Sequence, residues 1–401
     1  MLISKIKDIL IKLRFYGLRG SYKKFKKKYS SNESKIASES YDIIKLHESF
    51  TGYSHGLDSD RRNIKKGTLQ WVIPNFGFGS GGHLNIFRFM KMMSDLGYQN
   101  HLVILGEHDW QSEKHALKAL NEWYQPLETS LKFGVEGFFP SEYTLATGWQ
   151  TAYWVKKYRA TDKRFYFVQD FEPDFYPKSS ESILAENTYK LGLIGVTAGS
   201  WLKEKLSKEY GMACHALSFS YEKDLYFPRA KRKNNNFNIL FYSRHVTPRR
   251  MFEIGLVSLH QLCKKYKDIA VIFAGGDVSK FKIDFHHLNA GALSINELPD
   301  LYSQCDLALV LSGTNLSLLP MEIAACQCPL VLNDDPSASW LLPKDAAFYS
   351  KLESNALFKK LEIAYLDKNL RESTAKKRLN IALKSSWDEQ ATKLKEILES
   401  E

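Results

Sequence analysis

The stretch from Asp306 to Asp334 constrains the fold of this chain more than any other. It reads as a buried strand at 307–311, a polar turn, a helix that begins near Ser317 and ends before Pro329, and a second apolar strand. A strand, a crossover helix and another strand in this order form the βαβ unit of a parallel sheet. This stretch therefore predicts an α/β fold built on parallel strands.

One carboxylate, Glu322, interrupts the apolar run in the first turns of this helix. Open parallel sheets bind ligands in the crevice at the carboxyl ends of their strands, where a carboxylate can accept hydrogen bonds from a polyol. Glu322 is therefore a candidate ligand-binding residue. The alternative is that it only complements the positive end of the helix.

The same alternation of strands and helices recurs along most of the chain. Strands are predicted at 69–73, 101–105, 131–135, 164–168, 193–197 and 213–217, with helices between them. The pattern dissolves between 219 and 236 and resumes with a strand at 237–242. A chain of 401 residues is too long to fold around a single hydrophobic core. We therefore predict two tandem doubly wound, Rossmann-like domains at 67–225 and 226–380, followed by a terminal helical segment at 381–401.

The first 66 residues have a different character. Apolar side chains recur at helical spacing over residues 2–16, lysines follow at 23–28, and the first 30 residues carry ten basic residues and one acid. This predicts a basic amphipathic helix and a polar arm, suited to peripheral contact with an anionic membrane surface; the alternative is a helix packed on the protein itself. Nine of the eleven net positive charges lie there, so we expect no nucleic-acid partner.

Several features predict a cytoplasmic location at the inner face of the cell membrane. No apolar run is long enough to span a bilayer, and the N-terminus lacks the pattern of a cleaved signal peptide. The five cysteines are odd in number and lack zinc spacing, which favours reduced, buried thiols.

A G-x-G-x-x-G pattern begins at Gly77, after the first strand. Three residues separate the strand from this glycine, and Glu107 comes later than the roughly 20 residues expected for a ribose-binding acid, so NAD binding is disfavoured. Gly81, Gly82 and His83 at the start of the helix could instead admit a phosphate or a sugar. A purely steric turn, with His83 as a partly buried cap, remains the alternative.

Charged residues end two other predicted strands. Arg244, Arg249 and Arg250 surround a Thr-Pro turn before a predicted helix at 249–265, a grouping suited to a diphosphate because guanidinium geometry matches phosphoryl oxygens. Asp170 and Glu172 follow the strand at 164–168, where one of them could orient a hydroxyl or take a proton. Helix capping and solvation are the alternatives for these carboxylates.

In the second domain the chain resembles the retaining glycosyltransferases of the GT-B fold, family 4. Residues 319–324 match the second half of the family's motif, which implies that Glu322 binds the nucleotide ribose. The family's first glutamate is replaced by Thr314. Its diphosphate-binding Arg and Lys map onto Arg244 and Arg249, and its base-binding loop resembles Gly291, Ala292 and Leu293.

More narrowly, the segments 166–173, 185–189, 247–250 and 314–320 resemble bacterial rhamnosyltransferases of surface-polysaccharide synthesis. The resemblance implies dTDP-β-L-rhamnose as donor, a glycan or lipid-linked glycan as acceptor, and transfer with retention. Because fixed positive groups such as Arg244 and Arg249 can stabilise the diphosphate, we expect no metal or other cofactor. The resemblance also places Asp170 near the reacting sugar and adds donor contacts from Thr314, Asn315, Ser317 and Leu318.

Overall fold

The computed structural model describes residues 60–233, 235–316 and 318–401. The predicted basic helix and most of the polar arm therefore lie outside the described residues, as does Ser317. The described chain opens with a short 3-10 turn, Arg61–Asn63, and then enters the first strand. None of the helices in the described ranges has the length and apolar character needed to cross a membrane.

The N-terminal domain is a seven-stranded sheet in which all paired strands are parallel. Its strand order is β3-β2-β1-β4-β5-β6-β7. The strands are β1 (Thr68–Pro74), β2 (Gln99–Leu105), β3 (Ser130–Phe133), β4 (Ser141–Ala146), β5 (Thr161–Val168), β6 (Ile194–Ala198) and β7 (Cys214–Leu217). The helices are α1 (Gly81–Asp95), α2 (Glu113–Trp123), α3 (Trp149–Lys157), α4 (Ser180–Asn187) and α5 (Ser200–Tyr210).

Strand β4 is the element of this domain that the sequence analysis missed. Its polar residues are buried at the middle of the sheet, because tertiary partners satisfy them. The Glu142 carboxylate accepts the Gly67 N–H at 2.6 Å and lies 2.9 Å from Lys66 Nζ. The Thr144 hydroxyl donates to Thr161 Oγ1 at 3.0 Å. Polarity in the sequence therefore concealed a central strand.

The C-terminal domain is a six-stranded parallel sheet with the order β10-β9-β8-β11-β12-β13. Its strands are β8 (Phe237–Tyr242), β9 (Ile269–Ala274), β10 (His287–Gly291), β11 (Leu307–Val310), β12 (Leu330–Asn333) and β13 (Phe348–Ser350). Its helices are α6 (Phe252–Lys265), α7 (Leu298–Gln304), α8 (Leu319–Ala325), α9 (Pro336–Ser339), α10 (Ser354–Leu366) and α11 (Lys368–Lys384). The sequence analysis did not predict α10 and α11.

The last helix, α12 (Trp387–Ser400), packs on the N-terminal domain. Trp387 meets Phe89 of α1 edge to face, with ring centroids 6.0 Å apart. The Tyr98 hydroxyl donates to Glu399 at 2.8 Å. Together with the connection at 218–236, this helix links the two domains. The five cysteines are buried and unpaired, as predicted.

The carboxyl ends of the strands of both sheets face a cleft between the domains. β5 and β6 of the first sheet stand there opposite the loop that follows β11 of the second, as the contacts below establish. This is the crevice at the carboxyl ends of parallel strands, where the fold class places ligands.

Candidate functional site

Asp170 reaches across the cleft from the N-terminal domain. It lies two residues after β5, and its side chain is 13% exposed. Oδ1 accepts hydrogen bonds from the N–H groups of Phe171 at 2.9 Å and Asn315 at 2.8 Å. Oδ2 accepts the Thr314 hydroxyl at 3.0 Å. The predicted catalytic carboxylate thus contacts Thr314 directly.

Arg249 completes this group from the C-terminal domain. Its Nε lies 3.7 Å from Asp170 Oδ2, and its guanidinium carbon lies 4.3 Å from the ring centre of Phe175. Burial lowers the pKa of Arg249, an effect that the Asp170 charge opposes. An arginine nevertheless keeps its charge. Within the described residues the buried Nε–H has no hydrogen-bond partner.

Arg244 and Arg250 lie near Arg249. The charges of both act on its pKa, and Arg250 donates to the Ser312 hydroxyl at 2.9 Å. The predicted helix at 249–265 was wrong at its start: Pro248–Arg250 is a 3-10 turn, and α6 begins at Phe252 after a left-handed Met251. The arginines therefore lie on a turn that precedes the helix, with Arg244 exposed to solvent.

Asn315 is 1% exposed, and every polar atom of its side chain has a partner. Its Nδ2 donates to the carbonyl oxygens of Gln169 at 2.9 Å and Ala198 at 2.7 Å, both in the N-terminal domain. Its Oδ1 accepts the Trp340 indole N–H at 2.8 Å. The predicted donor contacts Thr314 and Asn315 are therefore also the residues that join the two domains.

Burial raises the pKa of Asp170 above its ordinary range. The Asn315 N–H, the charges of Arg249 and Arg250, and the Thr314 hydroxyl act in the opposite direction and favour the carboxylate. Burial is the largest of these effects, so the pKa of Asp170 stays raised although groups from the opposite domain favour the carboxylate.

Glu172 has a structural role. It is 6% exposed, and it accepts the Trp149 N–H at the start of α3 at 2.7 Å and the Tyr166 hydroxyl at 2.6 Å. Burial raises its pKa to about 7. Of the two carboxylates after β5, only Asp170 faces the opposite domain.

The glycine-rich loop lies at the same edge of the first sheet. A Cβ added at Gly81 would meet nothing within 4 Å, and one at Gly82 would meet only Gln169 Nε2 at 3.5 Å. His83 bonds Ser80 Oγ at 2.8 Å and the Pro74 carbonyl at 3.3 Å, and burial lowers its pKa to about 4. The glycines leave room for a ligand, whereas the neutral His83 ring is held by Ser80 and Pro74 and would have to exchange one of these partners to bind a ligand.

Glu322 lies in the first turn of α8. Burial raises its pKa to about 7, and the Arg88 guanidinium of α1 opposes this shift. The cation that acts on Glu322 therefore comes from the other domain. Arg88 is itself held by Glu222 at 2.6 Å and lies over the Trp387 ring at 4.4 Å.

The remaining predicted donor residues lie at ends of secondary structure in the C-terminal domain. Gly291 ends β10 with a φ of +64°, and a Cβ there would meet nothing within 4 Å. Ala292 is exposed and Leu293 half-buried beyond it. Leu318 precedes α8 and is half-buried.

Three residues of this site were not singled out in the sequence: Phe175, Trp340 and Arg88. Each acts on a residue far away in the chain, and no local spacing signals such a contact. Among the described residues, no group of three or more His, Cys, Asp and Glu side chains lies together as a metal site would require.

Two family models match parts of the chain. Residues 135–197 match the model described as WsaF, N-terminal domain, and residues 237–362 match WsaF, C-terminal domain. The curated O-antigen biosynthesis protein RfbC of Myxococcus xanthus is 30% identical to the chain over 291 residues. That match covers 69% of this chain and 22% of RfbC, so the chain spans about a fifth of the length of this relative.

Solved structures share the fold at low sequence identity. HepE from Anabaena in complex with UDP-glucose superposes with a TM-score of 0.65 at 14% identity, over 83% of this chain and 100% of that one. TarM from S. aureus, in complex with fondaparinux, alpha-GlcNAc-glycerol and UDP, gives a TM-score of 0.66 at 8% identity, over 82% and 99% of the two chains. The chain has the GT-B fold, as predicted.

Proposed function

We propose that this protein is a glycosyltransferase of cell-surface polysaccharide synthesis, which moves L-rhamnose from dTDP-β-L-rhamnose to a glycan or lipid-linked glycan. The observation that carries the proposal is the meeting of Arg249 and Asp170 at 3.7 Å across the cleft of a GT-B fold. The pair sets a phosphate-binding cation beside a carboxylate that can face a sugar. The matches to WsaF and to an O-antigen biosynthesis protein support the polysaccharide context.

In the proposed reaction Arg244 and Arg249 bind the donor diphosphate and stabilise the charge that develops on it as the glycosidic bond breaks. Fixed positive groups aimed at developing charge are effective in this role. Glu322 accepts the ribose hydroxyls, Gly291, Ala292 and Leu293 line the base, and Gly81 and Gly82 allow the donor to approach. Asp170 orients the sugar or the acceptor hydroxyl. Retention allows the leaving diphosphate to take the acceptor proton.

Calorimetric titration with dTDP-rhamnose, UDP-glucose and a GDP-hexose tests the donor. We expect the tightest binding for dTDP-rhamnose. A clear preference for UDP-glucose, the ligand of the structurally similar HepE, would establish the competing donor and refute ours. Unchanged binding and turnover after EDTA treatment would support the proposed independence of metal ions.

Transfer to a lipid-linked glycan, followed by NMR of the new glycosidic bond, tests the reaction and its stereochemistry. An inverted anomeric centre would refute retention. Binding of dTDP-rhamnose without hydrolysis or transfer to any acceptor would favour a non-catalytic sugar-nucleotide-binding scaffold, an alternative motivated by the threonine at position 314.

We also propose peripheral attachment to the inner face of the membrane through the basic N-terminal residues. Flotation of the full chain with phosphatidylglycerol vesicles, but not with phosphatidylcholine vesicles, is expected. A variant lacking residues 1–30 should lose flotation yet still act on a soluble acceptor. Loss of turnover with the soluble acceptor would contradict a purely membrane-binding role for this segment.

A further inference from the structure

The carboxylate of Asp170 is held by the opposite domain in a way that leaves one acceptor position open. An ionised carboxylate offers about four lone-pair sites. Phe171 N–H and Asn315 N–H occupy Oδ1, and the Thr314 hydroxyl occupies one site on Oδ2. The remaining site is on Oδ2, the oxygen 3.7 Å from Arg249 Nε.

The loop that carries Thr314 is held by hydrogen bonds of its own, apart from the bond to Asp170. Thr314 is 1% exposed, and the preceding Gly313 N–H donates to the Arg249 carbonyl at 2.7 Å. One residue earlier, the Ser312 N–H donates to Asn333 Oδ1 at 2.9 Å and the Ser312 hydroxyl to the Asn315 carbonyl at 3.0 Å. Because this loop is already held in place, the Thr314 hydroxyl loses little conformational entropy when it donates to Asp170. It can therefore fix the orientation of the carboxylate.

The residue type at 314 matches this contact. A second carboxylate at this position would face Asp170 at hydrogen-bond distance, and two like charges so close cannot both remain ionised. A hydroxyl instead donates to the carboxylate. Threonine at 314 and aspartate at 170 are therefore complementary, with the acid on the N-terminal side of the cleft and its donor on the C-terminal side.

We propose that Thr314 is a positioning residue that holds the Asp170 carboxylate toward the reacting sugar, so that the acidic centre is assembled from both domains. This rests on the proposed function. The hydroxyl both aims Oδ2 and favours its ionised form, in competition with the burial that favours the protonated form. Around the carboxylate, the charges of Arg249 and Arg250 act with Thr314. The neighbouring acids are Glu172 and Asp174 of the N-terminal domain, and burial and the Asp170 charge raise the pKa of both.

The test compares T314V, T314S and D170N with the full wild-type chain, and uses T392V as the matched control. The Thr392 hydroxyl bonds only the Asp388 carbonyl within α12. For T314V we expect a loss of kcat of about tenfold or more, because a hydrogen bond to a charged group is lost, and a donor Kd within about threefold of wild type. T314S should recover most of kcat, and T392V should match wild type.

The pH profile separates positioning from a merely structural role. Loss of the Thr314 hydroxyl raises the pKa of Asp170, so the acid limb of kcat should move to higher pH in T314V and return in T314S. In the D170N background, T314V should cost little further activity, because Thr314 acts through Asp170. An unmoved acid limb, or an equal loss in both backgrounds, would overturn the proposal.

Different results would refute the role of Thr314 and the proposed function. Wild-type protein that binds no sugar nucleotide and transfers no sugar refutes the function. Wild-type protein that turns over normally while T314V matches it in kcat and pH profile refutes only the role of Thr314.

Discussion

Asn315 Nδ2 in the C-terminal domain lies 2.7 Å from the carbonyl oxygen of Ala198 in the N-terminal domain. The same nitrogen donates to the Gln169 carbonyl, next to Asp170. A single buried amide thus holds the ends of β5 and β6 against the loop after β11. The geometry of the candidate site depends on this joint between the domains.

Substituting Asn315 should weaken the joint. N315A leaves the Gln169 and Ala198 carbonyls and the Trp340 indole N–H without their partner. Each buried polar group that loses its hydrogen bond costs roughly 1–3 kcal/mol. We expect the free energy of unfolding in urea to fall by about 3 kcal/mol. N380A, which truncates an exposed asparagine of α11, should change it by less than about 0.5 kcal/mol. Equal stabilities of the two variants would contradict the importance of this contact.

Arg249 and Arg244 should contribute unequally to donor binding. Arg249 is half-buried beside Asp170 and Phe175, whereas Arg244 is exposed to solvent, where its charge is screened. We expect R249A to weaken the donor Kd by about 100-fold and R244A by about tenfold or less, from the greater strength of desolvated charge-assisted bonds. R249K keeps the charge but loses the guanidinium fork and should fall between them. A larger loss in R244A would reverse this assignment.

Glu172 should make stability depend on pH. Burial raises its pKa from 4.5 to about 7 in the folded protein. Between these two pH values the folded state keeps a proton on Glu172 that the unfolded state releases. The contribution of Glu172 to the free energy of unfolding is therefore highest below pH 4.5 and declines as the pH rises toward 7. Glu322 acts in the same direction.

E172Q should therefore reduce the fall in the free energy of unfolding between pH 4.5 and about 7, by on the order of a few kcal/mol. Urea unfolding at several pH values measures the effect. E396Q, an exposed glutamate of α12, should leave the slope unchanged. A slope in E172Q equal to that of wild type would show that another group sets the pH dependence.

Gly199 should tolerate no side chain. Its φ is +100°, and a Cβ there would lie 2.5 Å from the Trp340 ring. Both strain and overlap predict that G199A lowers the free energy of unfolding by about 2 kcal/mol or more. G77A is the matched control, because a Cβ at Gly77 meets nothing within 4 Å. A stable G199A variant would mean that Trp340 can move away from β6 without cost.

Much of the fold could be predicted because strand and helix periodicity is local. The strand at 237–242 has the predicted bounds. β4 was missed because its buried polar side chains are paired with residues distant in the chain. α11 was missed because its buried face carries Thr374, Ala375, Arg378 and Ala382, which do not form an apolar stripe.

The sequence by itself determined the α/β class, the division into two sheets and the residue types at the strand ends, because backbone periodicity and turn chemistry act over a few residues. Only the tertiary structure decided which of these residues meet. It brought Asp170 to Thr314, 144 residues apart in the chain, and it placed the charge of Arg88 where it opposes the rise in the pKa of Glu322 caused by burial. It also assigned Glu172 and His83 to internal contacts. Such pairings depend on how two domains pack, which no local pattern encodes.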